Sequence, residues 1–207
     1  MALVKHNNNS ISAVTSMASL TTGSMTLIKE QTASSSASIS FVDGSSDVVL
    51  DSTYPIYKFE YINCHPATDA VHFEFNLSTD SGSTYNVAKT STYFNAFHKE
   101  DDSSTGLTYN AGGDLAQGTG TQDIFRGVGS DNDQSICGCM FLFNPSSTTF
   151  VKHFIIQSVL LSSGDSAQNA FVAGYGNTTS AVNGVKFQMS SGNIDAGTIK
   201  LYGIKDS

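Results

Sequence analysis

The sequence predicts an all-β protein: an antiparallel β-sandwich of jelly-roll type with an extended N-terminal arm. Three observations lead there. Apolar and polar residues alternate over short runs, which is the period of a half-buried strand. Clusters of Gly, Ser, Asn and Asp separate the runs at intervals typical of sandwiches. No heptad and no long stretch of helical period interrupts the 207 residues, a length one all-β domain can fill.

Two regions are expected, an arm over residues 1–30 and a sandwich domain over 31–207. The arm contains "NNNSISAVTSMASLTTGS". Its apolar residues, Leu3, Val4, Ile11, Val14, Met17 and Leu20, are isolated in a polar background. They are too sparse to build a core, so the arm is expected to pack along the domain or dock on a partner through those side chains. It has no long apolar segment of the kind a secretory leader carries. Work outside a cell would therefore follow lysis or release within a particle.

The strands follow in order. "TLIKEQ" (26–31) and "SASISFV" (36–42) come first. "IYKFEYINC" (56–64) places Tyr57, Phe59 and Tyr61 on one face, with Ile56, Lys58, Glu60 and Ile62 on the other. "VHFEFNL" (71–77) sets Val71, Phe73, Phe75 and Leu77 against His72, Glu74 and Asn76. The Asp-Ser-Gly of the following turn suits a hairpin into "NVAKTSTYFNAFH" (86–98). Residues 98–120 read as a long loop, acidic at "HKEDDSS" and Gly-rich beyond it. "TQDIFRGV" (121–128), "SICGCMFLFN" (135–144) and "NAFVAGYG" (169–176) are further strands. "FVKHFIIQSVLL" (150–161) is read as a strand and not a helix, because β-branched and aromatic residues dominate it. "GVKFQMS" (184–190) and "GTIKLYGI" (197–204), joined through a Gly-Asn turn, are expected to form a closing hairpin.

Charged residues make up only 14% of the chain, against about 25% in ordinary soluble domains. Hydroxyls and amides replace them, as on extracellular and virion surfaces. The net charge of -8, with ten thinly spread Lys and Arg, excludes the basic stripe that nucleic acid demands. No apolar run approaches the roughly 20 residues of a membrane-spanning helix.

Catalytic and cofactor signatures are lacking in the sequence. It has no G-x-S-x-G elbow and no P-loop lysine. "SDND" (130–133) has oxygen ligands but not the calcium-loop pattern, so no metal and no cofactor are expected. Cys64, Cys137 and Cys139 are an odd set, not a disulfide framework; the C-x-C pair Cys137 and Cys139 is read as two small buried residues and not as a zinc site. The remaining binding chemistry is tyrosine beside acidic and amide residues. Tyr93, Tyr109, Asp101, Asp131 and Asp133 are the candidate contacts for a host glycan or receptor. A polysaccharide depolymerase is conceivable for such a chain, but no pair of carboxylates stands out for it.

Four segments share a further property. "ISFVDGSSDVVLDSTYPIYKFEYINCHPATDA", "FNLSTDSGSTYNVAKTSTYF", "MFLFNPSSTTFVKHF" and "TTSAVNGVKFQMSSGNIDAGTIKLYGIKDS" resemble, in this order, segments of a family of structural proteins of tailed phages that infect marine bacteria and cyanobacteria. The resemblance covers roughly residues 37–205. It implies a jelly-roll-type sandwich in a virion, as a head decoration protein or fibre-like appendage, with no shared catalytic residues. Other virion proteins of the capsid or tail would be its partners, with homo-oligomerisation, as a trimer, expected from how appendages assemble.

Overall fold

The computed structural model describes residues 24–205; Leu3, Val4, Ile11, Val14, Met17 and Leu20 of the expected arm lie outside that range. The described residues form strands β1 (Met25–Thr32), β2 (Ile39–Val42), β3 (Ile56–Pro66), β4 (Val71–Ser78), β5 (Lys89–Lys99) and β6 (Thr105–Tyr109). The chain continues with β7 (Gln122–Val128), β8 (Ile136–Phe143), β9 (Lys152–Leu161), β10 (Ser166–Gly176), β11 (Gly184–Met189) and β12 (Ile194–Ile204). None of the described elements is a helix long and apolar enough to cross a membrane.

Two antiparallel sheets pack face to face. The larger has the order β1-β12-β3-β8-β9-β10-β5-β6, and the smaller β2-β11-β4-β7. A plain jelly roll divides eight strands between two sheets. The twelve strands of the described residues divide unequally, eight to one sheet and four to the other.

Alternation decides which side chains enter the core. Tyr57, Phe59 and Tyr61 of β3 point inward and are fully buried. Opposite them, Phe187 of β11 lies among Phe41, Phe59 and Phe73, with ring centroids 6.3, 5.4 and 6.0 Å away. Each such ring contributes roughly 1.5–3 kcal/mol through burial. A bulge breaks the period of β3: Asn63 takes φ 49°, Ile62 and Asn63 both stay outside, and Cys64 returns to the core. The bulge dictates its neighbour on β12. Gly197 has φ 115°, and a Cβ there would sit 2.6 Å from both Asn63 O and Cys64 Cα.

Several expectations need correction. The last two strands do not form a hairpin. β11 pairs with β2 and β4 in the small sheet, whereas β12 pairs with β1 and β3 in the large one. The Gly-Asn turn is a crossover, with Gly192 at φ 69°. The turn after β4 is also a crossover, because β5 belongs to the large sheet. Its local chemistry is as the sequence suggests. Ser81 and Gly82 take positive φ, and Asp80 accepts from Thr84 N at 2.8 Å and Thr84 Oγ1 at 2.6 Å. Turn residues specify a reversal and not the sheet that receives the chain.

The stretch read as one long loop contains β6, which pairs with β5 at the edge of the large sheet. It is only five residues long, TGLTY, and just Leu107 and Tyr109 mark its alternation. At the other edge, β1 begins at Met25, so Met25–Glu30 of the segment read as arm lie in the sheet.

Candidate functional site: an uncharged sheet face

The inner face of the large sheet meets the small sheet. The outer face of its β8-β9-β10-β5-β6 part has nothing of the chain's described residues layered over it. The register places its side chains in rows. Cys139, Gln157, Phe171, Phe94 and Tyr109 form one row, and Cys137, Val159, Asn169, Ala96 and Leu107 the next. On the other side lie Phe141, Ile155, Ala173 and Thr92. No outward position on these five strands is Asp, Glu, Lys or Arg. The β1-β12-β3 part of the same face is different, with Lys200–Glu30 and Lys58–Glu60 ion pairs at 3.3 and 3.0 Å.

Large apolar groups are exposed on the uncharged part: Leu107 by 72%, Val159 by 54% and Ile155 by 49%. Phe94 and Phe171 stack with centroids 5.3 Å apart and planes 14° apart. Three shallow depressions mark the surface. The largest, about 420 Å³, runs past Phe143, His153, Ile155 and Tyr175. The second, about 200 Å³, is lined by Cys139, Gln157, Val159 and Asn169. The third, about 280 Å³, lies beside Ala96, Val159 and Ala167. Asn169 Oδ1 is buried without a hydrogen-bond partner among the described residues. A buried acceptor left without a donor costs about 1–3 kcal/mol. Cys64 is buried, but Cys137 and Cys139, expected to be a buried pair, are half-buried on this outer face and do not belong to the core.

The five residues expected to contact a glycan do not form one site. Tyr93 is a core residue, 1% exposed, whose hydroxyl accepts from Arg126 N at 3.2 Å. Burial raises its pKa well above the ordinary tyrosine value. Tyr109 is on the outer face at the sheet edge, where its hydroxyl donates to Asp114 Oδ2. Asp101 occupies the β5–β6 turn and accepts from Ser103 N at 3.0 Å. Asp131 and Asp133 lie in the β7–β8 loop. Their loop does border a cleft of about 480 Å³, lined by Asn63, His65, Asn132, Gln134 and Asp195. His65 Nε2 is 3.2 Å from Asp131 O, closing one wall.

A second polar assembly has no signature in the sequence. Glu74 of β4 and Asp123 of β7 are cross-strand neighbours, each 8% exposed. His72 Nδ1 lies 3.5 Å from Asp123 Oδ1, and Arg126 Nη1 lies 3.3 Å from Asp123 Oδ2. Burial pushes the Asp123 carboxyl up to about 7, with Arg126 opposing the rise and Glu74 adding to it. Burial, then the Arg126 charge, lowers the pKa of His72. Ligand atoms of His72, Glu74 and Asp123 lie within 4.8 Å of one another, a spacing that could hold a cation. The Arg126 guanidinium already supplies positive charge there, which lowers the cluster's need for a metal ion.

Two buried lysines also escape the sequence reading. Lys89 Nζ donates to Asn76 Oδ1 at 2.6 Å and Val87 O at 2.9 Å, and burial lowers its pKa to about 8. Lys152 Nζ donates to Phe150 O at 2.6 Å. Lysine inside an alternating run is the one signal that could have found them, since at both positions it falls on the inward phase. No family model, curated protein or solved structure matches the chain.

Proposed function

We propose that the chain is a non-enzymatic structural protein of a tailed-phage virion, a head decoration protein or fibre-like appendage. Its N-terminal segment docks on another virion protein, and copies of the chain associate with one another. The observation that carries this reading is the uncharged outer face of β8, β9, β10, β5 and β6. Contiguous exposed apolar surface of this extent marks an interaction site. Its aromatic content and lack of charge are the composition of an interface core. The family-like segments over residues 37–205 and the low-charge, hydroxyl-rich surface support the same reading. Removing residues 1–23 leaves β1 intact. The truncated chain is expected to fold and to be missing from particles; full occupancy in particles contradicts docking through this segment.

The alternative is a receptor- or glycan-binding module of the tail. The cleft between His65, Asn132 and Asp195 favours it, because amides, an imidazole and a carboxylate are the groups that hydrogen-bond sugar hydroxyls. Glycan-array binding that is lost in Asn132→Ala and Asp195→Ala supports this module. An array without signal counts against it.

A further inference from the structure

The uncharged face needs an occupant, and we propose that it is a second copy of this chain, bound face to face across a two-fold axis. The inference rests on the assembly reading above and names the partner of that same surface.

Charge is the first argument. The chain carries a net charge of -8, so two copies repel over most of their surface. The β8-to-β6 face is where that repulsion is least, since its outward positions carry no Asp, Glu, Lys or Arg. A basic partner would be attracted to the rest of the molecule and gain nothing here. An uncharged copy of the same surface fits it.

Area is the second. Four strands of about 30 Å, as along Ala167–Tyr175, and the shorter five-residue β6, spaced about 4.8 Å apart, give a face of roughly 650 Å². Standard-size interfaces bury about 600–1,000 Å² per partner. The face is therefore of the size a dimer uses. A sheet face meeting its own copy across a two-fold axis is an isologous contact, which closes as a dimer and leaves no open end. A trimer would need two different patches.

Asn169 is the third. Its buried Oδ1 has no donor among the described residues and lines an outward depression. Gln157 lines the same depression. Oδ1 is closed off within the single chain, so the Gln157 amide of a second copy reaches it across a two-fold axis only when the Asn169 amide turns outward on association. The Phe94–Phe171 stack beside it supplies the aromatic centre that interfaces concentrate their energy on.

The test is the oligomeric state of the full chain by light scattering over a dilution series, with thiol labelling of Cys139 read by peptide mass. The expected result is a dimer whose Cys139 is protected. Phe171→Glu and Val159→Lys should each give a folded monomer with Cys139 labelled at least tenfold faster. Ile62→Glu, on the charged part of the same sheet, should remain dimeric. A monomeric full chain at all concentrations overturns the proposal, as does a trimer, or a dimer that both charged variants and Cys139 labelling leave unchanged. A monomer found in particles would refute the second copy while leaving the virion reading in place. A dimer absent from particles would do the reverse.

Discussion

Glu74 and Asp123 face each other across β4 and β7, two buried carboxylates with one guanidinium, Arg126, beside them. Like charges directly opposite in a sheet destabilise it unless compensated. Here compensation comes from Arg126 and from a proton. The Asp123 carboxyl, raised to about 7, holds a proton that its unfolded form loses near 3.8. Stability from the protonated form is complete below pH 3.8 and is lost as pH rises toward 7. Wild type should therefore lose stability relative to Asp123→Asn across that window, with a slope of at most about 1.4 kcal/mol per pH unit. Urea midpoints at pH 4, 5, 6 and 7 for both proteins measure it. Parallel curves would show that Asp123 does not titrate there.

Arg126→Met removes the positive charge and leaves both carboxylates buried. Breaking a buried charge cluster from one side should cost about 2–4 kcal/mol at pH 7. The cost should shrink near pH 4, where Asp123 is protonated. Equal loss at both pH values would assign the effect to packing of the Arg126 stem.

Lys89 gives a slope of the opposite sign. Its folded pKa is lowered to about 8 from 10.5, so between these values the unfolded chain binds more protons than the folded one. Its burial cost is complete below pH 8 and is relieved as pH rises to 10.5. The stability difference between Lys89→Met and wild type should change across that window in wild type's favour. A difference independent of pH from 8 to 10 would mean that Lys89 stays protonated.

Gly197→Ala tests the bulge. The added methyl meets backbone atoms of Asn63 and Cys64 at 2.6 Å, and φ 115° is strained for any L side chain. A loss of about 3 kcal/mol or more in chemical denaturation is expected. A loss below about 1 kcal/mol would mean that β12 shifts to accommodate it.

Phe187→Ala probes the packing between the sheets. It removes the ring that touches Phe41, Phe59 and Phe73, and about 3–5 kcal/mol should be lost. Circular dichroism and melting temperature report it.

Most strands are legible in the sequence because one face is buried and the other is not. Tyr57, Phe59 and Tyr61 alternate inward as the sequence suggests. β4 misleads, since Glu74 and Asn76 look like a solvent face and are buried. Connecting segments cover that side: Asn76 Nδ2 donates to Tyr85 O at 2.6 Å and Thr119 O at 3.3 Å. Coverage by a crossover is a non-local property that a period of two does not encode. The same limit explains why β11 and β12 read as a hairpin. The site is less legible than the fold. Tyr93, expected as a glycan contact, is core, while Gln157, Asn169 and the Phe94–Phe171 stack become a surface only once β9, β10 and β5 are laid side by side.

If the outer face of β8, β9, β10, β5 and β6 is an assembly surface of a virion protein, it must be covered in the particle. On that reading, a map of an intact particle that would carry this chain tests the claim most directly. The predicted result is density for the chain with Phe94, Phe171, Val159 and Leu107 packed against protein. A particle without the chain, or one in which that face is bare to solvent, would contradict it.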